Sequence, residues 1–180
     1  MTLDDEIRGC VACAGLAATR TTVVVGTAPP GARLLVVGEA PGALEDETGL
    51  PFVGRSGQLL DRLLAEAGLP RDRVAVLNTV KCRPPGNRLP TREETANCRP
   101  WTVRQLAVLS PDLVVPLGLS AARWFLGRTT LSAVRGRVHV VDGRRVLPTY
   151  HPAAALRGGP NGEPMRLLRE DLATAVRLVA

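Results

Sequence analysis

Residues 38–54 read Gly-Glu-Ala-Pro-Gly-Ala-Leu-Glu-Asp-Glu-Thr-Gly-Leu-Pro-Phe-Val-Gly and hold more usable chemistry than any other stretch of the chain. Glu39, Glu45 and Asp46 bring carboxylates, Phe52 brings a ring in a Pro-Phe turn, and the glycines leave backbone N–H groups uncovered. Acids and amides beside an aromatic face suit a flat polar ligand. Two distant residues extend the set. Asn78 carries a donor and an acceptor side by side, which matches the imide edge of a pyrimidine. His151, followed by Pro-Ala-Ala-Ala-Leu-Arg, can donate to an oxygen that gains charge as a bond breaks. Arg83, Arg88 and Arg157 offer guanidinium groups, which pair with phosphate at two points.

Four cysteines form a second centre. Cys10 and Cys13 make a C-x2-C near the start, and 15 residues separate Cys82 from Cys98. Disulfides are rare in reducing compartments, so the set reads as metal-binding, catalytic or buried. Four thiolates suit tetrahedral zinc and a [4Fe–4S] cluster alike. A shared site would tie the N-terminus to the middle of the fold.

These groups need a scaffold, and the apolar pattern supplies one. Leu34–Val37, Val74–Leu77 and Leu113–Leu117 read as buried strands, with a further short strand over Thr21–Val25. Val138–Val141 and Arg145–Leu147 pair across an Asp142-Gly143 turn. A helix over about 4–18 carries the C-x2-C. Ser56 caps a helix to Ala67, with Leu59, Leu60, Leu63 and Leu64 in one stripe and Gly68 as its stop. Thr91 and Glu94 form a capping box that opens a helix towards Leu109. Further helices cover about 120–126 and 164–178, and Cys82–Pro90 is a loop. Strands alternating with helices predict a mostly parallel sheet covered on both faces. In such a sheet the carboxyl ends of the strands share one edge, so the 38–54 loop, Asn78 and His151 can converge.

Composition sets bounds. The chain has 180 residues, enough for one domain with a sizeable core. It contains no run of about 18 apolar residues, and its start, Met-Thr-Leu-Asp-Asp-Glu, is acidic where a signal peptide is basic. A cytoplasmic protein without a membrane span is expected. Lys and Arg outnumber Asp and Glu by 23 to 17, almost all of them arginine, which fits a polyanionic substrate.

The ordered motifs carry a resemblance. Gly-Glu-Ala-Pro-Gly-x-x-Glu-Asp at 38–46, Thr-Gly-x-Pro-Phe-Val-Gly at 48–54 and Asn-x-Val-Lys-Cys-Arg-Pro-Pro at 78–85 resemble the family 4 uracil-DNA glycosylases, iron–sulfur enzymes of bacteria and archaea. Asn-Arg at 87–88, Pro-Leu-Gly at 116–118, Val-Arg-Gly at 134–136 and His-Pro-Ala-Ala-Ala-Leu-Arg at 151–157 fit the same family. The likeness runs unbroken over about residues 5–178. It implies a single three-layer α/β domain over 1–180, with a four-stranded, mostly parallel sheet flanked by helices. It also implies a [4Fe–4S] cluster, rather than zinc, on Cys10, Cys13, Cys82 and Cys98. That cluster would pin the 4–18 helix to the 82–98 loop and aim Lys81, Arg83 and Arg88 at DNA.

The family's roles carry over residue by residue. The partner is uracil-containing DNA, bound by a monomer that removes uracil and leaves an abasic site. The backbone of Gly38 and Glu39, with Ala40, meets the uracil, Phe52 stacks on the flipped ring, and Asn78 reads its imide edge. His151 bonds the O2 oxygen. Arg83, Asn87 and Arg88 contact DNA, and Leu156 and Arg157 lie where the superfamily inserts a loop into the space left by the extruded base. Two positions depart from the best-known uracil glycosylases. Ala40 replaces a water-orienting aspartate, which leaves Glu39 or a main-chain-held water for that task. Gly42 replaces a tyrosine that blocks the thymine methyl, which leaves Glu45 to fill that space. Ala154 replaces a frequent aromatic. A covalently trapping relative would need a histidine between Lys81 and Thr91, and the sequence has none there. A noncatalytic DNA-binding module is the alternative outside the enzymes, and the first loop lacks the G-x-G-x-x-G of dinucleotide enzymes.

Overall fold

A computed structural model describes residues 1–180. The chain opens with two short helices, α1 (Leu3–Arg8) and α2 (Ala14–Thr19). It continues through β1 (Leu34–Gly38), α3 (Ala43–Thr48), α4 (Arg55–Glu66), β2 (Val74–Asn78) and α5 (Arg92–Leu109). Then come β3 (Leu113–Pro116), α6 (Gly118–Leu126), α7 (Leu131–Val134), β4 (His139–Val141), β5 (Arg144–Val146), α8 (Pro152–Gly158) and α9 (Glu163–Val179).

The sheet has the order β2-β1-β3-β5-β4. β2, β1, β3 and β5 run parallel, as expected, and β4 adds a fifth, antiparallel edge strand. The β4–β5 hairpin closes where the sequence placed it. Asp142 and Gly143 stand at φ 47° and 76°, the mirror-image turn whose twist matches paired strands.

Alternation along β1 sorts the core into layers. Leu34 and Val36 pack against the α4 stripe of Leu59, Leu60, Leu63 and Leu64 and against α9. Leu35 and Val37 face the other way, towards Leu106 of α5 and Trp124 of α6. The three layers follow directly from that period of two. α4 starts at Arg55 behind a Gly54 cap, so Ser56 lies inside the first turn rather than at the cap. The Thr91–Glu94 capping box is present at the head of α5.

Two further expectations fail. The helix expected over 4–18 is two helices, because Gly9 ends α1 and the Cys10–Cys13 turn swings both thiols to one side before α2 begins. Thr21–Val25 is buried along Val23–Val25 but forms no strand. Val24 bonds Lys81 and Thr27 exchanges two bonds with Val76, while Gly26 between them, at φ 117°, interrupts the ladder. Burial was legible in the β-branched residues; the interruption was not.

β1 lies between β2 and β3, so the connection leaving β1 and the one arriving at β3 pass to opposite faces and open a crevice at the strand ends. One buried carboxylate braces its far side. Asp171 of α9 accepts from Arg135 Nε and Nη2 at 3.1 and 2.7 Å and from Thr149 Oγ1 at 2.6 Å. Thr149 is two residues before His151, so this latch fixes where that histidine leaves the sheet. No helix is long and apolar enough to cross a membrane. Replacing Asp171 by Ala strands the mostly buried Arg135 guanidinium and should lower stability by about 3–5 kcal/mol, read as a depressed midpoint in thermal or urea unfolding; an unchanged midpoint would contradict the latch.

Candidate nucleobase cleft and cysteine chamber

A cleft of about 780 Å³ opens at the carboxyl ends of β1, β2, β3 and β5. Glu39, Ala40, Glu45, Phe52, Asn78 and His151 all line it, as do Asn87 and Arg157. Residues separated by more than a hundred positions therefore share one cavity.

Parallel register places Gly38 opposite Asn78. A carbon added at Gly38 would strike the Asn78 carboxamide oxygen and sit 2.6 Å from the Phe52 ring. Glycine is required there by close approach. Asn78 is 2% exposed, and its Oδ1 is buried without a hydrogen-bond partner. An orphaned acceptor of this kind costs about 1–3 kcal/mol and points to a ligand donor. Phe52 is held at φ 55°, the left-handed region that a bulky side chain rarely adopts. Three groups impose it. Arg71 donates to the Pro51 carbonyl at 2.7 Å and, at the limit of a bond, to the Phe52 carbonyl at 3.5 Å. Asp61 holds Arg71 at 2.8 Å. Gly57 lets α4 press against the Phe52 carbonyl, where any side chain would collide. The Phe52 and His151 rings lie 5.7 Å apart, inclined by 32°.

His151 caps α8, with Nδ1 accepting from Ala153 N at 3.1 Å. The ring proton of the neutral imidazole therefore resides on Nε2. Burial first, and Arg157 second, push the His151 pKa down to about 4. The ring is a neutral donor at physiological pH.

The acids divide. Glu39 lines the cleft and its carboxylate makes no hydrogen bond or ion pair with the protein. Glu45 accepts from Gly42 N at 3.1 Å and from Val53 N and Gly54 N at 2.9 Å. It thus ties the start of α3 to the turn after Phe52. Its Oε2 lies 2.7 Å from where a Gly42 side chain would begin, so it does occupy the space beside Gly42. Buried Asp46 faces away and accepts from Thr21 N and Thr22 N.

The basic set also divides. Arg157 is exposed at the cleft. Arg83 donates to Asn87 Oδ1 at 2.7 Å, and Arg88 makes two bonds to Glu94 at 2.8 and 2.7 Å. Those bonds hold the Glu94 carboxyl down at about 2. Lys81 does not face DNA: it is 1% exposed and its Nζ donates to Asn78 O at 2.6 Å. The strand-end carbonyl turns inward and draws the ammonium with it. Leu156 packs against the core rather than projecting, because residues 152–158 form α8. Sequence reading missed Arg55 and Ser120, which also line the cleft, and the Arg71–Asp61 support. Arg55 and Ser120 sit in the first turns of α4 and α6; α6 follows β3 directly and α4 follows the Phe52 turn, and those positions were the available signal.

The four cysteines line a second chamber, walled by Ile7, Leu16, Val23 and Val80. Each sulfur receives a different N–H donor. Trp101 Nε1 reaches Cys10 Sγ at 3.2 Å, Asn97 Nδ2 reaches Cys13 Sγ at 3.6 Å, Arg20 Nη1 reaches Cys82 Sγ at 3.1 Å, and Lys81 N reaches Cys98 Sγ at 3.3 Å. Cys98 belongs to α5, so the ligand set spans a turn, a loop and a helix. Burial pushes Cys98 up to about 11 and raises Cys82 as well, so thiolates form there only with a bound cation's help. No three Cys, His, Asp or Glu side chains meet in the arrangement that a single metal ion requires.

A cleft at the switch point of a parallel sheet, with an aromatic face and an orphaned amide, defines an α/β protein built to hold a ligand at its strand ends. Residues 25–173 match the family model described as the uracil DNA glycosylase superfamily. The chain is 42% identical over 176 residues to a type-4 uracil-DNA glycosylase of Thermotoga maritima, covering 96% of this chain and 91% of that protein. It is 44% identical over 165 residues to the type-4 enzyme of Archaeoglobus fulgidus, covering 86% and 83%. A type-5 uracil-DNA glycosylase of Thermus thermophilus is 36% identical over 168 residues, covering 82% and 74%. The chain belongs to the uracil-DNA glycosylase superfamily, with the type-4 enzymes among its relatives.

The His151 ring should titrate near pH 4 in the folded protein, against about 6.5 unfolded. The folded value is depressed, so the unfolded state binds more protons between those limits. The stability that the neutral ring contributes is therefore complete above about pH 6.5 and is lost as pH falls towards 4, by up to about 3 kcal/mol. Proton NMR of the imidazole checks this directly; a midpoint near 6.5 would contradict the buried, Nδ1-accepting ring.

Proposed function

We propose that the chain is a monofunctional uracil-DNA glycosylase that extrudes uracil from DNA and hydrolyses its N-glycosidic bond, releasing uracil and leaving an abasic site. The observation that carries the reading is the buried, partnerless Asn78 Oδ1 beside the Phe52 and His151 rings. Uracil supplies what that pocket lacks: its N3–H satisfies Oδ1 and its O4 accepts from the Asn78 amide. Phe52 stacks on the ring, with the backbone at Gly38–Ala40 against its edge.

Bond cleavage follows from charge. As the N1–C1′ bond lengthens, the electron pair passes to uracil and collects on O2, while the sugar becomes cation-like. The neutral His151 donates from Nε2 to that oxygen, and donors preorganised in this way are typically worth about 2.7–4 kcal/mol each. Glu39, a cleft-lining acid whose carboxylate is engaged by no protein group, orients the water that attacks C1′ and takes its proton. Glu45, bonded to three backbone N–H groups, shapes the loop and occupies the space where a thymine methyl would fall. Arg157 and Asn87 flank the cleft for the DNA backbone. The sole lysine, Lys81, is buried on a backbone carbonyl, which supports hydrolysis over Schiff-base lyase chemistry. All of these side chains come from one chain, in keeping with a monomer.

The chamber fits a [4Fe–4S] cluster held by Cys10, Cys13, Cys82 and Cys98. Its apolar walls and one N–H donor per sulfur are the surroundings that thiolate-ligated clusters use. When bound, the cluster supplies a four-point crosslink between the Cys10–Cys13 turn, the loop after β2 and α5. Cys82→Ala should lose the brown colour of the purified protein together with several degrees of melting temperature; a colourless wild type carrying zinc would overturn the assignment.

Alkali cleavage of oligonucleotides carrying U opposite G, U opposite A, unpaired U and T opposite G tests the function. Wild type should cut the three uracil substrates and spare T·G, and His151→Ala should bind but cut at least about 100-fold more slowly. Binding without turnover by wild type would favour a noncatalytic module, and a DNA adduct stable on denaturing gels would favour covalent trapping.

A further inference from the structure

Leu89 is 70% exposed. Of the large apolar side chains that the fold leaves in solvent, it is the one that also lines the nucleobase cleft. Its backbone is held firmly. Arg88 Nη1 donates to the Leu89 carbonyl at 3.0 Å while the same guanidinium grips Glu94. Pro90 follows immediately, and Thr91 and Glu94 close the capping box of α5. Just upstream, the Arg83–Asn87 bond spans a turn in which Gly86 and Asn87 stand at φ 62° and 55°. Four bonds from arginines and a helix cap thus fix a loop whose outward group is a bare isobutyl. An apolar side chain held in water on a rigid loop makes sense where something flat will cover it.

The opposite wall offers no equivalent. α8 presents Arg157, but Leu156 packs inward against the core and Ala155 is fully buried. Because α8 follows β5 and the Leu89 loop follows β2, the two walls face each other across β1 and β3. A base leaving a duplex stack opens a gap that an apolar side chain can fill, which holds the neighbouring bases apart and slows return. We infer that Leu89, on the loop after β2, is the wedge that enters the DNA stack when the target nucleotide is extruded. Arg88, paired with Glu94, then acts as the brace of that wedge. The inference rests on the glycosylase reading and deepens it by assigning duplex competence to one side chain. Single-stranded uracil has no stack to hold open, so a wedge acts on duplex substrate alone.

The measurement is the ratio of the single-turnover excision rate on U·A duplex to that on the same strand unpaired, for wild type, Leu89→Ala, Leu89→Met and Leu156→Ala. Leu89→Ala should lower the ratio about tenfold or more, and Leu89→Met should restore most of it. With 2-aminopurine beside the uracil, and His151→Ala as background to prevent cleavage, the fluorescence rise on extrusion should fade when Leu89→Ala is added. An unchanged ratio for Leu89→Ala, or a fall confined to Leu156→Ala, would overturn the assignment. Wild type inactive on both substrates would instead sink the glycosylase reading, so the two failures are distinct.

Discussion

Because β1 and β2 pair in parallel register, Gly38 faces Asn78 across the ladder, and because Gly38 has no side chain the Asn78 amide and the Phe52 ring close on the same backbone. The cleft is built outward from that contact. A methyl at 38 would push the ring and the amide apart together, and the ring is one side of the gap that His151 closes at 5.7 Å. One absent carbon therefore sets both the width of the slot and the depth of the acceptor at its end. The sheet supplies the rest of the precision, since strand-end backbones are fixed by ladders on both sides while loops alone are not.

Phe52 shows what it takes to keep such a slot rigid. A left-handed backbone at a bulky residue costs about 1–3 kcal/mol. The charge-assisted bond from Arg71 to the Pro51 carbonyl contributes about 1.5–3 kcal/mol, enough to offset it; the 3.5 Å contact to Phe52 O adds little. From the other end Glu45 draws Val53 and Gly54 towards the start of α3. The turn is thus clamped on both flanks before any ligand arrives. The same logic governs His151: its cap bond to Ala153 fixes the tautomer, and its burial keeps it neutral. A cationic imidazole would be the stronger donor, but it would need both ring nitrogens as donors and would lose the cap.

What the sequence disclosed follows a pattern. Continuous apolar runs identified β1, β2 and β3, and a one-sided leucine stripe identified the α4 face, because burial there is dictated by local sequence alone. Asp142-Gly143 and Thr91–Glu94 were equally legible, since a turn or a cap needs only neighbours in the chain. Gathering Phe52, Asn78 and His151 into one cleft was legible through parallel topology. Partnerships between distant side chains were not. Nothing local distinguishes Arg88, held by Glu94, from Arg157, free at the cleft. Nothing in Leu156 says that it turns inward while Leu89 stays out. The C-x2-C turn broke a helix whose apolar spacing looked continuous, because four thiols reaching one chamber impose a constraint larger than helix propensity.

Residues 78–82 join the two centres. Asn78 turns its side chain to the cleft, while its carbonyl receives Lys81 Nζ. Lys81 in turn sends its backbone N–H to Cys98 Sγ, and Cys82 is the next residue. Four peptide units thus connect the group that reads the base to the groups that line the chamber, with no flexible segment between them. The lysine is the only one among 23 basic residues, and it stands where a compact ammonium must fit beneath a strand end at 1% exposure. Burial pushes the Lys81 pKa down to about 8, and Cys98 and Cys82, when ionised, push it back up. Lys81 Nζ holds the Asn78 carbonyl, and that carbonyl marks the end of β2 from which the amide is presented. The chamber reaches the chemistry through structure: it sets the position of one strand terminus, and the cleft is built on that terminus.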